Sequence, residues 1–154
     1  MINCREYSLR LITMKDRTKK EIISKLREKN YDENEIQNEI EFLENYGYID
    51  DKRYAERFVN DAVNLKKWGK KRIEAELLLR GISREIISDA IEILFPDDMR
   101  ERLVDQMKSR YKDADFSNIK ERTRIFNYYA RRGFSPDEIK GAMNTLCAFC
   151  DIMD

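Results

Sequence analysis

Histidine is absent from the 154-residue sequence, and glycine and proline are scarce, at five and two residues. Without histidine the chain has no Ser–His or Cys–His nucleophile pair, no imidazole zinc ligand and no histidine general base. Charged residues make up 39% of the sequence and hydrophobic residues 42%, a mixture rich in helix formers. The composition therefore predicts an all-helical protein and argues against an enzyme.

Long apolar runs are also missing. No stretch approaches the roughly 18 apolar residues of a membrane span, and the first residues lack the apolar core of a signal peptide. Three cysteines, an odd number, fit reduced thiols better than a disulfide framework. We therefore expect a cytoplasmic protein with no membrane association.

Neither sign of charge is in excess. Lysine plus arginine (30) equals aspartate plus glutamate (30), so the formal net charge is zero. The chain as a whole is not a polycation that seeks phosphate. Any contact with nucleic acid must therefore come from a local basic patch.

An internal repeat organises the chain. Tyr31, Ile82 and Phe134 correspond in three segments, at spacings of 51 and 52 residues. Within each copy the apolar residues recur at helical spacing, so each copy has a face to bury. The other matched sets are Ile22, Ile73 and Ile125; Leu26, Leu77 and Tyr129; Ile36, Ile87 and Ile139; and Leu43, Leu94 and Leu146.

Local signals bound two helices in each copy. Gly81 and Gly133 lie between these helices, where a residue with positive φ makes a tight turn, and Asn30 takes this place in the first copy. Pro136 follows a capping residue at a first helical position. The capping boxes are Thr18 with Glu21, Asp32 with Glu35, and Ser135 with Glu138.

A further helix precedes each pair, over roughly residues 4–13, 51–67 and 98–112. The unit is thus a three-helix repeat, with copies at residues 1–47, 48–96 and 97–154. Because a lone unit of about 50 residues has a marginal core, the copies should lean on one another. We expect one continuous repeat domain with an elongated, curved body.

The second copy resembles the hallmark repeat of the RecX family. The matching segments are GYIDDKRYAERFV at residues 47–59, KWGKKRI at 67–73 and LRGI at 79–82. The first copy is similar to the family over residues 17–22 and at Leu26, and the third over residues 129–135. The chain departs from the family in its short first helix, in its acidic end and in the third copy, which lacks an aromatic equivalent of Tyr54 and Phe58.

This resemblance implies a regulator built from three tandem three-helix repeats. RecX proteins bind in the groove of the RecA recombinase filament on single-stranded DNA, inhibit its ATP hydrolysis and strand exchange, and limit the SOS response. By resemblance we expect this partner, together with at most a weak direct contact to DNA. We expect no cofactor, no metal and a monomeric chain.

Candidate binding residues include two basic clusters. In the first, cations surround Trp68, whose indole offers a stacking face; the alternative is a solvated helix end, which the helix dipole favours in any case. The second comprises Arg122, Arg124, Arg131 and Arg132. The set predicted to contact the filament or DNA phosphate is Tyr48, Asp50, Asp51, Arg53, Lys66, Lys67, Trp68, Lys70, Lys71, Arg72, Arg80, Arg131 and Arg132.

Two acidic pairs precede helices, Asp50 with Asp51 and Asp97 with Asp98. We interpret both as helix caps, because a carboxylate at a helix start accepts hydrogen bonds from free backbone N–H groups. A filament contact stays open for the first pair, since it lies within the family motif.

One Cys-x-x-Cys pair, Cys147 and Cys150, is a weak zinc or redox signal. The pair supplies two of the four ligands of a structural zinc site, and Cys4 is far away in sequence. We interpret these cysteines as ordinary thiols.

Two other functions compete with the regulator. A three-helix unit with a glycine turn also suits a helix-turn-helix regulator that binds duplex DNA, but zero net charge and repetition argue against it. A metal-dependent enzyme is the remaining alternative.

Overall fold

Nine α-helices and one π-helical turn form the chain in a computed structural model, which describes the backbone of residues 2–153 and the side chains of residues 2–148. No strand occurs in this described part, so the predicted all-helical class is confirmed. The helices are α1 Cys4–Met14, α2 Lys19–Glu28, α3 Glu33–Asn45, α4 Asp51–Asp61, α5 Lys70–Leu79, α6 Arg84–Leu94, α7 Met99–Arg110, α8 Ile119–Arg131 and α9 Pro136–Met153; the π-helical turn is Ala62–Lys66.

Contacts divide the chain into two units. The first comprises the chain up to Asn60 together with Ala75–Ile93, and the second comprises Asp61–Glu74 together with the chain from Leu94. In the first unit α1, α2 and α3 pack against one another, and in the second α9 packs against α7 and α8. The second copy therefore contributes residues to both units.

The apolar positions of the repeat form the core of each unit. In the first unit the buried cluster includes Ile22, Leu26 and Ile40, which all come from the matched faces of α2 and α3. In the second unit Ile125 and Ile139 are likewise fully buried. Helical spacing thus predicted the buried faces on both sides of the division.

Helix starts follow the predicted caps in part. Ser135 and Glu138 form a complete capping box, since the Ser135 N–H donates to the glutamate (3.1 Å) and the Glu138 N–H donates to the serine Oγ (3.2 Å). The Thr18 Oγ1 accepts from the Glu21 N–H at 3.2 Å. The prediction for Asp98 was wrong: its carboxylate makes no cap bond and accepts from Arg102 Nε at 3.0 Å instead.

The cap at the start of α3 differs from the predicted capping box. The Asp32 side chain accepts from the Asn34 N–H, two residues on, so Glu35 is not its backbone partner.

The three predicted turns are confirmed, because Asn30, Gly81 and Gly133 have φ of 62°, 83° and 96°. Each turn closes with positive φ, which glycine and asparagine adopt at low cost.

The predicted helix over residues 51–67 is not one regular α-helix. It is α-helical to Asp61 and then widens into the π-helical turn Ala62–Lys66. Lys67 ends it with a left-handed φ of 58°, and the Trp68 N–H donates back to the Ala62 carbonyl at 3.0 Å. A π-helical turn contains one residue more than an α-helical turn, so the residues after Asp61 do not follow α-helical spacing.

Each unit contains one joint between copies, and the two joints have the same plan. In the first joint, within the first unit, Thr18 Oγ1 at the start of α2 donates to the Arg80 carbonyl at 2.6 Å. In the second joint, within the second unit, the Gly69 N–H at the start of α5 donates to the Arg132 carbonyl at 2.7 Å. Thr18 matches Gly69 and Arg80 matches Arg132 at the repeat spacings of 51 and 52.

Candidate functional site

Parts of the two basic clusters predicted separately from the sequence meet in the second unit, through Arg131 and Arg132 of the second cluster. Arg132 Nη1 donates to the Lys66 carbonyl at 2.7 Å, and Arg72 Nη1 lies 3.4 Å from the Arg131 carbonyl. These partners are 66 and 59 positions apart in the sequence. The second joint brings them together, because its backbone hydrogen bonds hold the segment before α5 against the turn before α9.

Trp68 lies inside this cluster with little exposure. The Lys66 Nζ is 4.5 Å from the centre of its ring and the Arg72 Cζ is 4.1 Å away. Only 9% of Trp68 is exposed. The indole therefore already stacks with cations of the protein itself, which positions them. A direct binding role for Trp68 stays a prediction.

A groove of about 750 Å³ opens beside the second joint. It lies between the π-helical turn, α7 and α8, all within the second unit. Among the described residues that line the groove, Asp105 is the single carboxylate. Its cationic lining residues are Lys66, Lys67, Arg102, Arg110 and Arg132.

Tyr128 organises two of these cations. The Arg110 Cζ lies 4.1 Å from its ring centre and the Arg132 Cζ lies 4.7 Å from it. Tyr129 packs edge-on against Tyr128, with the ring centres 5.0 Å apart, and is almost fully buried. Burial raises the pKa of the Tyr129 hydroxyl, so Tyr129 stays neutral and serves as an apolar support. The guanidinium groups are thus held in place by stacking rather than by carboxylates.

Lys70 and Lys71 belong to the same basic segment but are not among the groove residues. The Lys70 Nζ lies 5.0 Å from the Phe95 ring centre. The Lys71 N–H donates to the Gly133 carbonyl at 3.2 Å, while its side chain is exposed. The backbone of Lys71 therefore has a structural role, and binding by either side chain stays a prediction.

The acidic motif residues lie in the first unit and act as caps there. Asp50 Oδ1 accepts from the Arg53 N–H at 3.1 Å, which confirms the cap of α4. Asp51 Oδ1 accepts instead from the Lys19 N–H at 3.0 Å, so it caps α2 rather than its own helix. Burial raises the pKa of the Asp51 carboxyl, although the Lys19 N–H opposes this effect.

The remaining predicted residues also lie in the first unit. Arg53 donates to the Gly47 carbonyl at 3.0 Å, and Tyr48 is half exposed beside Tyr46, with ring centres 6.5 Å apart. Arg80 pairs with Glu76 at 2.8 Å and stacks on Phe58. The filament contacts predicted for Tyr48, Arg53 and Arg80 stay predictions.

Three groove residues, Arg102, Arg110 and Tyr128, are not among the residues predicted from the sequence. The repeat itself holds a signal for Tyr128. Tyr128 occupies the position in the third copy that Glu76, the ion-pair partner of Arg80, occupies in the second. The third copy thus has an arginine without the carboxylate that pairs with its equivalent in the second copy, which indicates a more cationic surface.

Other sites considered from the sequence gain no support. Among described residues, no group of three or more Cys, Asp or Glu side chains is placed to hold a metal ion. Cys147 is partly exposed, and the Cys150 side chain lies outside the described residues. Within the same part of the chain, no helix is long and apolar enough to cross a membrane.

The fold and the site define a class of protein. It is an all-helical protein of tandem three-helix copies, with joints at which a residue at the start of a helix in one copy donates a hydrogen bond to a backbone carbonyl of a turn in another. One joint carries a cationic groove, which suits a polyanionic partner.

Comparisons with known proteins agree with this class. The models of the RecX first and second three-helix domains match residues 4–43 and 50–91. The regulatory protein RecX of Finegoldia magna is 33% identical over 138 residues, which cover 88% of this chain and 67% of that protein. The regulatory protein RecX of Clostridioides difficile is 33% identical over 151 residues, covering 96% and 70%.

A solved structure shows the same fold. The crystal structure of RecX from Lactobacillus salivarius aligns with a TM-score of 0.79 and 29% identity, covering 93% of this chain and 94% of that one. The chain belongs to the RecX family, which is a family of regulatory proteins. The resemblance found in the sequence is therefore confirmed.

Proposed function

We propose that this protein regulates the RecA recombinase by binding its filament on single-stranded DNA. It inhibits ATP hydrolysis, strand exchange and the co-protease activity that the filament contributes to the SOS response. It acts by binding alone and performs no chemistry, in the cytoplasm and without contact to membranes. Family membership supports this regulatory role, and the site supports a polyanionic partner.

One observation carries the proposal. Two basic clusters separated by some 60 residues converge at the second joint, where Arg132 donates to the Lys66 carbonyl at 2.7 Å. A chain of zero net charge thus concentrates cations on one surface. A filament of nucleic acid and protein presents repeated negative charge, which such a surface attracts.

The energetic requirement for regulation is modest. A ligand shifts an equilibrium between filament states only by the difference between its binding free energies for those states. A preference of about 3 kcal/mol changes the ratio of two states by roughly 150-fold. Binding without catalysis is therefore sufficient for strong inhibition.

The test is a titration of this protein into preformed RecA filaments on single-stranded DNA, with the rate of ATP hydrolysis as the readout. Binding to duplex DNA is measured in parallel, across a salt series. We expect inhibition at substoichiometric protein, because one regulator that alters a filament affects many RecA subunits.

An unchanged hydrolysis rate, together with salt-sensitive and sequence-selective binding to duplex DNA, would overturn the proposal. That result would favour a helix-turn-helix transcription regulator instead. Retention of inhibition after chelator treatment is also expected, and turnover of nucleotide by this protein alone would restore the enzyme hypothesis.

A further inference from the structure

Each joint has a donating half, at the start of a helix, and a receiving half, at a turn. In the first joint the first copy donates through Thr18 and the second copy receives at the Arg80 carbonyl. In the second joint the second copy donates through Gly69 and the third receives at the Arg132 carbonyl. Among the described residues, the receiving half of the first copy and the donating half of the third make no hydrogen bond to another copy.

The receiving half of the first copy keeps residues that serve a joint in the second copy. In α4, Tyr54 and Arg57 lie three and six residues after the first residue of the helix, and Arg57 pairs with Asp16 of the first copy at 2.9 Å. In α1, Tyr7 and Arg10 occupy the same two positions. The helix face that receives a copy in the second repeat is therefore present in the first.

The turn of the first copy is uncovered, whereas the other two turns are covered. At the joints the residues that follow the turns, Ile82 and Phe134, are buried. Their equivalent Tyr31 is only partly buried, and Asn30 in the turn itself is exposed. No described residue donates a hydrogen bond to the Lys29 carbonyl, which matches the acceptors at both joints. The first copy thus presents a receiving half to solvent.

A groove of about 570 Å³ opens at this turn, between α1 and the end of α2 in the first unit. We call it the first-copy groove. Met14, the last residue of α1, lines it and is 75% exposed. The apolar and aromatic lining residues are Ile2, Tyr7, Leu11, Met14 and Tyr31.

The donating half of the third copy also carries an apolar groove, of about 440 Å³, between α8 and α9 in the second unit. We call it the third-copy groove. Ile119, the first residue of α8, lines it and is 80% exposed. Ile119 stands where the first copy has Asp16 and the second has Lys67. The other apolar lining residues are Phe126 and Met143.

Apolar surface at these two places is unexpected if nothing covers it. A copy that ends a row of repeats usually has a polar outer face, which keeps the protein soluble. Here the third copy has Ile119 at a position that is charged in both other copies, and the first copy exposes Met14. Exposed apolar grooves indicate a partner, and the joints show which surface covers their equivalents: another copy of the repeat.

We infer that two molecules of this protein associate head to tail, through a third joint of the same plan. The start of α8 in one molecule binds the turn at Lys29 in another, so the third-copy groove and the first-copy groove cover each other. Because the two surfaces differ, the contact is heterologous, and further molecules can add to a row. The monomer expected from the sequence is then the form at low protein concentration.

The test measures self-association of the whole chain, without RecA, and is therefore independent of the proposed function. Sedimentation velocity is recorded between about 5 and 500 µM protein. The two groove variants are Met14→Asp and Ile119→Asp. Both side chains are mostly exposed, so the helix content in circular dichroism should be unchanged. The matched control is Ile93→Asp, at a position that is 68% exposed and outside both grooves.

We expect the wild type to sediment faster as its concentration rises, and each groove variant to associate at least about tenfold more weakly. The control should match the wild type. An equal mixture of the two groove variants should form dimers that do not grow further, because it contains one intact first-copy groove and one intact third-copy groove. If Met14→Asp loses helix, Met14→Gln replaces it in the same mixture.

The mixture separates head-to-tail association from symmetric pairing. In a symmetric dimer each molecule uses the same surface, so mixing two weakened variants would not restore association. Failure of the mixture to form dimers would therefore overturn the inference, as would a wild type that stays monomeric at every concentration or equal losses in the control. A monomeric wild type whose inhibition of RecA is lost in both groove variants would assign the grooves to the filament protein instead.

Discussion

The first and second joints are built from equivalent positions of the repeat, but the donor of the central hydrogen bond differs between them. At the first joint the Thr18 hydroxyl reaches the Arg80 carbonyl, whereas at the second the Gly69 backbone N–H reaches the Arg132 carbonyl. The acceptor carbonyl is retained and the donor changes. Without a side chain, Gly69 brings the two backbones into direct contact.

The surfaces beside the joints differ more than the joints themselves. Glu76 and Asp16 neutralise arginines at the first, while Tyr128 and Lys67 occupy the equivalent positions at the second. A hydrogen bond to the equivalent backbone carbonyl builds each joint, so the side chains that face solvent are free to vary. The variation at the second joint produces a cationic groove, which is where we place the function.

The largest expected effect comes from Gly69→Ala. A Cβ at this position would lie 2.5 Å from both the carbonyl carbon and the oxygen of Gly133, atoms of backbone that cannot rotate away. We expect a loss of about 3 kcal/mol in the free energy of unfolding, measured by urea denaturation.

Gly47→Ala is the matched control for that variant. Unlike Gly69, Gly47 has a positive φ, at 72°, and a Cβ there would meet nothing within 4 Å. It should cost only the backbone strain of about 1 kcal/mol. Equal losses in the two variants would show that the close approach at the second joint contributes nothing.

Thr18→Ala should have the next largest effect. Thr18 is fully buried, and the change removes both the cap to Glu21 and the bond to the Arg80 carbonyl. We expect a loss of about 2 kcal/mol in urea denaturation. Ser135→Ala removes a cap without a joint contact and should cost about 1 kcal/mol. A loss no greater for Thr18→Ala would mean that its bond to Arg80 is not stabilising.

Tyr128→Glu makes the second joint resemble the first. The new carboxylate lies four residues before Arg132, as Glu76 lies four residues before Arg80, and should pair with it. Half-inhibition of ATP hydrolysis by RecA filaments should then require about tenfold more protein, which is about 1.4 kcal/mol. Tyr128→Phe keeps the ring and should inhibit as the wild type does. Undiminished inhibition by Tyr128→Glu would show that the charge of the groove is not used.

Asp51→Asn should have the smallest effect. Because burial raises the pKa of Asp51, the ionised carboxylate is disfavoured in the folded state, and a neutral amide avoids this cost while its oxygen still accepts from Lys19. We expect a gain below about 0.5 kcal/mol at neutral pH, since solvent still reaches the side chain.

The pH dependence gives the sign of this effect. As pH falls through the raised pKa, the wild-type Asp51 becomes neutral and the advantage of Asp51→Asn should disappear. Asp51→Ala, which also loses the hydrogen bond, should be less stable at every pH. Equal losses for the two substitutions at neutral pH would show that the negative charge itself stabilises α2.

Local features of the fold could be predicted from the sequence because local residues determine them. Gly81 and Gly133 marked turns with positive φ, and Ser135 with Glu138 marked a helix start. The contact of Gly69 with Arg132 joins residues far apart in sequence, and no periodicity specifies it. The buried position of Trp68 depends on that contact and could not be predicted either.

The groove was predicted only in part for a similar reason. Lys66, Lys67 and Arg132 lie in clusters of basic residues that are evident in the sequence. Arg110 is one charged residue on an amphipathic helix, and its position over Tyr128 depends on how α7 and α8 pack. The π-helical turn Ala62–Lys66 has no sequence pattern that distinguishes it from an α-helix.

The most direct test of the account compares charge removal beside the second joint with charge removal in the first unit, in the RecA filament assay. One variant is Lys67→Gln with Arg110→Gln, and the other is Lys15→Gln with Lys52→Gln, which removes the same charge from exposed positions of the first unit. The groove variant should require about tenfold more protein for half-inhibition of ATP hydrolysis, while the other matches the wild type. Equal inhibition by both variants would contradict the claim that the second joint carries the function.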